Sequence, residues 1–501
     1  MLKARNLLLV PHRWKGGKTR WSIQQKKKNN TDRALENFDD FYGSVFGVRW
    51  RNIRAALLTE NKYIAMVNNF GDNEKTCSRM EMDGAINVKA LVELAKERQS
   101  GTQQLDNNRN QNSQVENKMD AFAKKQKDKE IHSLYPENAL EIQVPETLEY
   151  NSTAAASESE SSAEQNKETP LRNITQASVS IDHSRIVDPD HGTGALYDFI
   201  PASSIKGMED WIPESDHYKY YQTNADFPLQ FELEQDFVFP ENLALYTYEM
   251  GNCSEFRPPN KCLTGVLSHY LMDGASILPP LLLNVKPGER VLDACAAPGG
   301  KSLLMLQTLY PEQLVCNDVM ESRVNRIRKV MKEYLFDFDE RWLGQQRLVL
   351  NQCDARNLDD YGSYDKILVD VPCTNDRHSL MENDNNIFKP TRVKERLRIP
   401  ELQAGILANC LRLLKPGGSL MYSTCSLSPV QNDGVVHMAL QKAFNEDGLT
   451  FVVKDLSYIT QLFSDIYRFE YPKSLKYGQM VLPYLPANFG PMYFSKITRT
   501  E

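Results

Sequence analysis

Val291-Leu292-Asp293-Ala294-Cys295-Ala296-Ala297-Pro298-Gly299-Gly300-Lys301-Ser302 is the stretch that decides the fold. It begins as a short apolar run of strand type, and the spacing from Ser302 to Leu309 is helical, so one tight turn carries a strand straight into a helix. Small side chains and two glycines let that turn approach a ligand closely, and the unpaired N–H groups of a helix start favour a carboxylate or an anion. Lys301 adds a cation. The turn matches neither GxGxxG nor GxxxxGK[ST], which disfavours dinucleotide and triphosphate cofactors.

Outward from this turn, short β-rich runs alternate with helical stretches from about Leu263 onward. Strands are predicted at Glu289–Ala294, Gln313–Asn317, Arg347–Gln352, Lys366–Val371 and Ser419–Ser423. Helices are predicted at Ser302–Leu309, Ser322–Tyr334, Pro400–Leu414 and Pro429–Phe444. Lys415-Pro416-Gly417-Gly418 ends a helix with proline and glycine, as a helix-to-strand turn requires. The resulting order predicts an α/β fold with a doubly wound, mainly parallel sheet and a ligand crevice at the carboxyl ends of its strands.

Three of those ends carry pocket chemistry. Gly299, Gly300 and Lys301 form the first, Asp318 ends the second strand, and Asp354 follows the third. Each acid alone reads as a helix cap or solvated turn; together they predict a nucleoside pocket. S-adenosylmethionine fits it, with an amino-acid end for the loop, a ribose for Asp318 and an adenine for Asp354. Arg323 either assists Asp318 or pairs with Glu321 at the surface.

The fourth and fifth strands end Val369-Asp370-Val371-Pro372-Cys373-Thr374 and Ser423-Thr424-Cys425-Ser426. Both thiols are predicted to face the same crevice. Sulfur is a soft nucleophile whose thiolate fraction is set by local charge. Its addition to carbon 6 of a pyrimidine makes carbon 5 able to attack a methyl sulfonium, which points to methylation of cytosine at carbon 5. Asp370 is then placed to accept from the exocyclic amine or to keep ring nitrogen 3 protonated. Cys316, Cys353 and Cys410 read instead as small hydrophobes.

The blocks DACAAPGGKS, VDVPCTNDRHS and YSTCSLSPVQN closely resemble the NOP/Sun group of RNA 5-methylcytosine methyltransferases, over about residues 263–501. PCTNDRHSL with ENDNNIFKP, the terminal ANFGPMYF and the early ALENFDDFYGSVFG are similar to its mitochondrial ribosomal RNA branch. The resemblance implies a class I methyltransferase fold that uses S-adenosylmethionine. It implies Cys425 as covalent nucleophile and Cys373 as the residue that helps release product. Pocket roles follow for Gly299, Gly300, Lys301, Asp318, Arg323, Asp354 and Asp370. Many relatives continue with small residues after Pro-Cys, whereas this chain has Thr374-Asn375-Asp376-Arg377, which bears on the geometry of the target loop.

The whole chain has 501 residues, 41% hydrophobic and 25% charged, which is ordinary globular usage. No run approaches the roughly 18 apolar residues of a membrane span. Nine irregularly spaced cysteines without a CxxC pair make neither a disulfide framework nor a zinc site, and fit a reducing compartment. Residues 1–30 hold nine Lys or Arg and no acid and resemble a mitochondrial transit peptide; a basic RNA-binding arm or nuclear signal at Lys26–Lys28 is the alternative. Residues 31–98 are predicted as a small helical domain. Residues 99–190 read as a disordered low-complexity insert, 191–262 as an acidic and aromatic connection, and 263–501 as the catalytic domain.

Charge bears on partners. Residues 261–501 carry 28 basic and 27 acidic side chains, a poor source of phosphate contacts. Residues 191–260 carry 3 basic and 12 acidic. Lys389, Arg392, Lys394, Arg396 and Arg398 either steer one RNA segment or form the solvent side of a helix. The resemblance implies ribosomal RNA as substrate, the mitochondrial matrix as location, mitochondrial ribosomal subunits as surroundings and a helical-repeat partner of the mitochondrial termination-factor family. Tyr218 to Glu255 either docks on that basic partner or is an ordinary solvated acidic face. Transfer RNA as substrate, and a mainly non-catalytic role in ribosome assembly, remain the alternatives.

Overall fold

The computed structural model describes residues 28–99, 227–470 and 475–500. Residues 1–27 and 100–226 lie outside them, and with these the transit-peptide reading and nearly all of the insert. The chain divides into two compact units, residues 1–88 with 200–501, and residues 89–199. Of the second unit, residues 89–99 are described and are helical.

In the first unit, helix α1 (Asn30–Phe46) buries Ala34, Phe38, Tyr42 and Phe46, one stripe at four-residue spacing. Asp32 caps its start by accepting from the Asn29 N–H at 3.1 Å. Helix α2 (Trp50–Leu57) follows. The stripe joins the same core as Leu407, Val435 and Tyr493 of the catalytic region. Each large side chain so buried contributes about 1.5–3 kcal/mol.

The small helical domain expected at 31–98 also contains strands after α2. Tyr63–Val67 forms β1, Asn73–Met82 forms α3, and Ile86–Asn87 forms β2. β1 is a short apolar run covered on both faces, a pattern that periodicity alone does not separate from buried helix. It lies in a four-stranded sheet of order β2-β4-β1-β5, with β4 (Leu245–Thr247) and β5 (His269–Asp273). Residues 227–262 are likewise more than a connection: they supply β4 to this sheet and β3 (Gln230–Leu233) to the larger one.

The larger sheet has a parallel centre of five strands: β6 (Arg290–Asp293), β7 (Gln313–Asp318), β8 (Leu348–Gln352), β9 (Tyr364–Asp370) and β10 (Leu414–Thr424). Their spatial order is β10-β9-β6-β7-β8. The chain therefore runs outward one way from β6 and, after β8, returns to its other side at β9. That reversal leaves a crevice beyond the carboxyl ends of β6 and β9. β13 (Met492–Arg499) adds antiparallel to β10, β11 (Phe451–Asp455) pairs with β13, and β3 closes the edge. β12 (Gln479–Val481) pairs with β13 beside this path.

Every predicted central strand is present within two residues, except that β10 begins five residues early. The Lys415–Gly418 turn is absorbed into it as an irregularity between Leu414 and Ser419, with Gly417 at a φ of 79°. The predicted helices appear as α5 (Gly300–Gln307), α6 (Glu321–Tyr334), α9 (Ile399–Leu413) and α10 (Asp433–Asp447), after the short α4 (Leu278–Leu282). Helices α7 (Asp376–Met381) and α8 (Val393–Leu397) lie between β9 and α9. Among the described residues no helix is long and apolar enough to cross a membrane.

Candidate active site

The turn after β6 is built as its sequence requires. Gly299 has a φ of 111°, in the left-handed region that only glycine adopts without strain. Gly300 opens α5 under Tyr270, and a Cβ there would lie 2.9 Å from the Tyr270 Cε1. The backbone thus comes as close to its neighbours as a glycine permits. Asp293, at the end of β6, is buried and accepts from the Ser302 hydroxyl at 2.5 Å through Oδ2, while its Oδ1 has no partner. Burial pushes its carboxyl up to about 7, against the Ser302 hydrogen bond.

Asp318 ends β7. Its Oδ2 accepts from the Ala297 N–H at 3.3 Å, and its Oδ1 lies 2.8 Å from the Arg323 Nε. Arg323 therefore reaches Asp318 rather than Glu321. Asp354 follows β8 and accepts from both the backbone and the guanidinium of Arg356, at 3.0 and 2.7 Å. The Arg356 hydrogen bond holds its carboxyl below the usual range. Gly299, Gly300, Asp318 and Asp354 thus flank the carboxyl ends of three adjacent strands.

Lys301, Asp370, Cys373 and Cys425 all line a cavity of about 1680 Å³. Lys301 donates to Asp370 Oδ2 at 2.6 Å, and Ser423 donates to Asp370 Oδ1 at 2.8 Å. Cys373 and Cys425 face each other with their sulfurs 3.1 Å apart. The thiol of Cys425 is held well above its usual range, first by the hydrogen bond to Cys373, then by burial and the charges of Cys373 and Asp370; Lys301 pulls it down. Burial works against the Lys301 cation, but Asp370 outweighs it and holds that pKa above the ordinary value. A soft nucleophile, a second thiol and an oriented carboxylate therefore share one cavity beside the Gly299 turn. Cys316 and Cys410 are fully buried, with thiols raised by burial, as small hydrophobes would be.

Three comparisons bear on this geometry. Residues 280–478 match the family model for the 16S rRNA methyltransferase RsmB/F. The chain is 32% identical to the 5-cytosine rRNA methyltransferase nsun-4 of Caenorhabditis elegans, over 98% of this chain and 97% of that protein. It is also 32% identical to the 5-cytosine rRNA methyltransferase NSUN4 of Bos taurus, over 100% of this chain and 97% of that one. The chain belongs to the NOP/Sun family of RNA 5-methylcytosine methyltransferases. It is an RNA (cytosine-5)-methyltransferase with a class I fold, and its cofactor is S-adenosylmethionine. A more distant relative, the mitochondrial tRNA (cytosine(34)-C(5))-methyltransferase of Mus musculus, is 33% identical over 52% of this chain and 72% of its own length. The close glycine turn, with Ala297, Pro298 and Lys301 lining the cavity, fits such a cofactor.

The segment after Cys373 is held by contacts distant in sequence. Asn375 turns the chain at a φ of 45°. Arg377 then donates to the carbonyls of Ala56, Thr59 and Gly490 and to Asn488 Oδ1, at 2.7 to 3.1 Å. The loop is thereby fastened to α2 and to the ANFGP segment, both distant in sequence. Reading the sequence also missed Ser423, which fixes Asp370, and the buried Asp376. In the basic cluster, Arg392 and Arg398 line the cavity, with Arg392 paired to Glu395. Arg396 is not on a solvent face: its guanidinium lies over Phe388, 4.5 Å from the ring centroid.

Proposed function

We propose that this Sun-family enzyme methylates carbon 5 of cytosine in ribosomal RNA through a covalent bond from Cys425 to carbon 6. The observation that carries the reading is the pair of sulfurs 3.1 Å apart beside the Lys301–Asp370 ion pair. Cys425 gives up its proton to solvent in the cavity and its Sγ bonds to carbon 6, and the electrons of the 5,6 double bond move to carbon 5. Asp370, oriented by Lys301 and Ser423, accepts from the exocyclic amine or keeps ring nitrogen 3 protonated, and so favours that addition. S-adenosylmethionine, when bound, supplies the methyl group that carbon 5 takes up. Loss of the carbon 5 proton then expels the Cys425 sulfur and restores the double bond, and Cys373 assists this elimination.

Gly299, Gly300 and Lys301 would hold the amino-acid end of the cofactor, Asp318 with Arg323 the ribose, and Asp354 the adenine edge. Similarity to the ribosomal RNA enzymes runs the length of the chain, whereas that to the transfer RNA enzyme covers half, which favours ribosomal RNA. A mitochondrial site of action, in the matrix, and a part in assembling mitochondrial ribosomal subunits belong to the same reading. So does a basic helical-repeat partner. For that contact Glu232 and Glu234 are already engaged by Lys454 and Lys496, which leaves the exposed Asp236, Glu241, Glu249 and Glu255 as the acids to test. Deleting Tyr218 to Glu255 would remove β3 and β4, so point substitutions are required.

The test of the chemistry is Cys425→Ala, expected to abolish both methylation and any denaturation-resistant RNA adduct. Normal methylation by that variant would remove the assignment. Mapping methylated cytosines in organellar RNA with and without the protein tests the substrate.

A further inference from the structure

Asp376 has no assigned role, yet it is the most heavily bonded carboxylate near the two thiols. It is fully buried and does not line the cavity. Its Oδ1 accepts from the Thr374 hydroxyl at 2.6 Å and from Ser426 at 3.2 Å; its Oδ2 accepts from Tyr42 at 2.7 Å and from the Leu427 N–H at 2.7 Å. Its own N–H donates to the Cys425 carbonyl at 3.3 Å. Thr374 directly follows Cys373, and Ser426 directly follows Cys425. One carboxylate therefore binds both residues that adjoin the thiols, and α1 adds a bond through Tyr42.

Among the described residues no Lys or Arg pairs with this carboxylate. Burying a charge without a counter-cation is costly, and an apolar pair of similar volume would join two loops at lower cost. Hydroxyl and amide donors give what apolar packing does not, a fixed register between the loops. Tyr42 is itself locked by Phe38 and Trp50, with ring centroids 5.0 and 5.4 Å away.

We propose that Asp376, held by Tyr42, is a positioning residue that sets the Cys373 and Cys425 sulfurs at working distance, which makes α1 part of the catalytic apparatus. The proposal rests on Cys425 as nucleophile. Misplacing a reacting group by about 1 Å costs on the order of a hundredfold in rate. A buried hydrogen bond to a charged group is worth roughly tenfold to a hundredfold.

The test uses the full chain and compares Tyr42→Phe, Asp376→Ala, Cys373→Ser and Cys425→Ala. Measured are kcat, the RNA KM, cofactor Kd, adduct formation and binding of phenylarsine oxide. That reagent condenses with two adjacent thiols, forming two As–S bonds and releasing water, and Cys373→Ser supplies the blank for the other cysteines. Tyr42→Phe keeps the aromatic packing. It is expected to lower kcat roughly tenfold with RNA KM and cofactor Kd unchanged, and to weaken phenylarsine oxide binding to the pair. Asp376→Ala is expected to lower kcat on the order of a hundredfold; should it fail to fold, Tyr42→Phe alone decides. Wild-type kcat and arsenical binding in Tyr42→Phe would overturn the clamp, as would a loss matched by weaker cofactor binding. Adduct formation by Cys425→Ala would overturn the underlying reading instead, whatever the clamp variants do.

Discussion

Replacing Cys373 with alanine separates the two thiols' contributions. The hydrogen bond to Cys373 is the largest influence holding the Cys425 thiol above its usual range. Removing a hydrogen bond of about 1–1.5 kcal/mol corresponds to roughly one pKa unit, downward for Cys425. Below both pKa values, a fall of one unit raises the thiolate fraction about tenfold. The less basic thiolate is also the weaker nucleophile, and a Brønsted coefficient of about 0.4–0.5 returns roughly threefold of that gain. The variant should therefore add to RNA about threefold faster than the parent at neutral pH, with the rising limb of its pH-rate profile moved to lower pH. Elimination should fail, so the adduct persists. Rapid-quench single-turnover assays, followed by denaturing electrophoresis across a pH series, report rate, limb and persistence together. A limb that stays in place or moves upward would refute the electrostatic reasoning, and a transient adduct would refute the release role of Cys373.

Lys301→Met should shift the same limb the other way, because this cation lowers the Cys425 pKa; a downward shift in the single-turnover series would contradict it. Gly300→Ala should weaken S-adenosylmethionine binding about fivefold or more by calorimetry. The new methyl would meet Tyr270 at 2.9 Å, overpacking of about 1–3 kcal/mol, and Tyr270→Leu should restore part of the affinity. Asp293 has a folded-state pKa of about 7, above its unfolded value of about 3.9, so folding takes up a proton between these pH values. Stability from this group falls as pH rises through that window, by at most about 4 kcal/mol. Asp293→Asn should flatten the fall, measured by urea unfolding at pH 5 and pH 8.

The catalytic half was legible because its information is local. A strand entering a glycine turn, an acid after each of the next two strands and a thiol after each of the last two are short patterns. The right-handed crossover rule then places those strand ends along one edge. The antiparallel strands β11 to β13 were not read, because their partners lie elsewhere in the chain and short apolar runs do not name them. β1 failed for the same reason: Ile64 to Val67 is buried between β4 and β5, and its lack of alternation follows from cover on both faces.

The sequence by itself determined the reaction class, through residue types that few other chemistries require together, and the succession of strands and helices along the chain. Only the tertiary structure decided how close the two sulfurs lie, that Arg323 reaches Asp318, that Arg377 fastens the target loop to Asn488, and that Asp376 links Tyr42 to both thiol-bearing loops. The physical reason is range. Backbone preference and side-chain period act over a few residues, whereas a hydrogen bond between Tyr42 and Asp376 spans 334 positions and exists only once the core has closed around it.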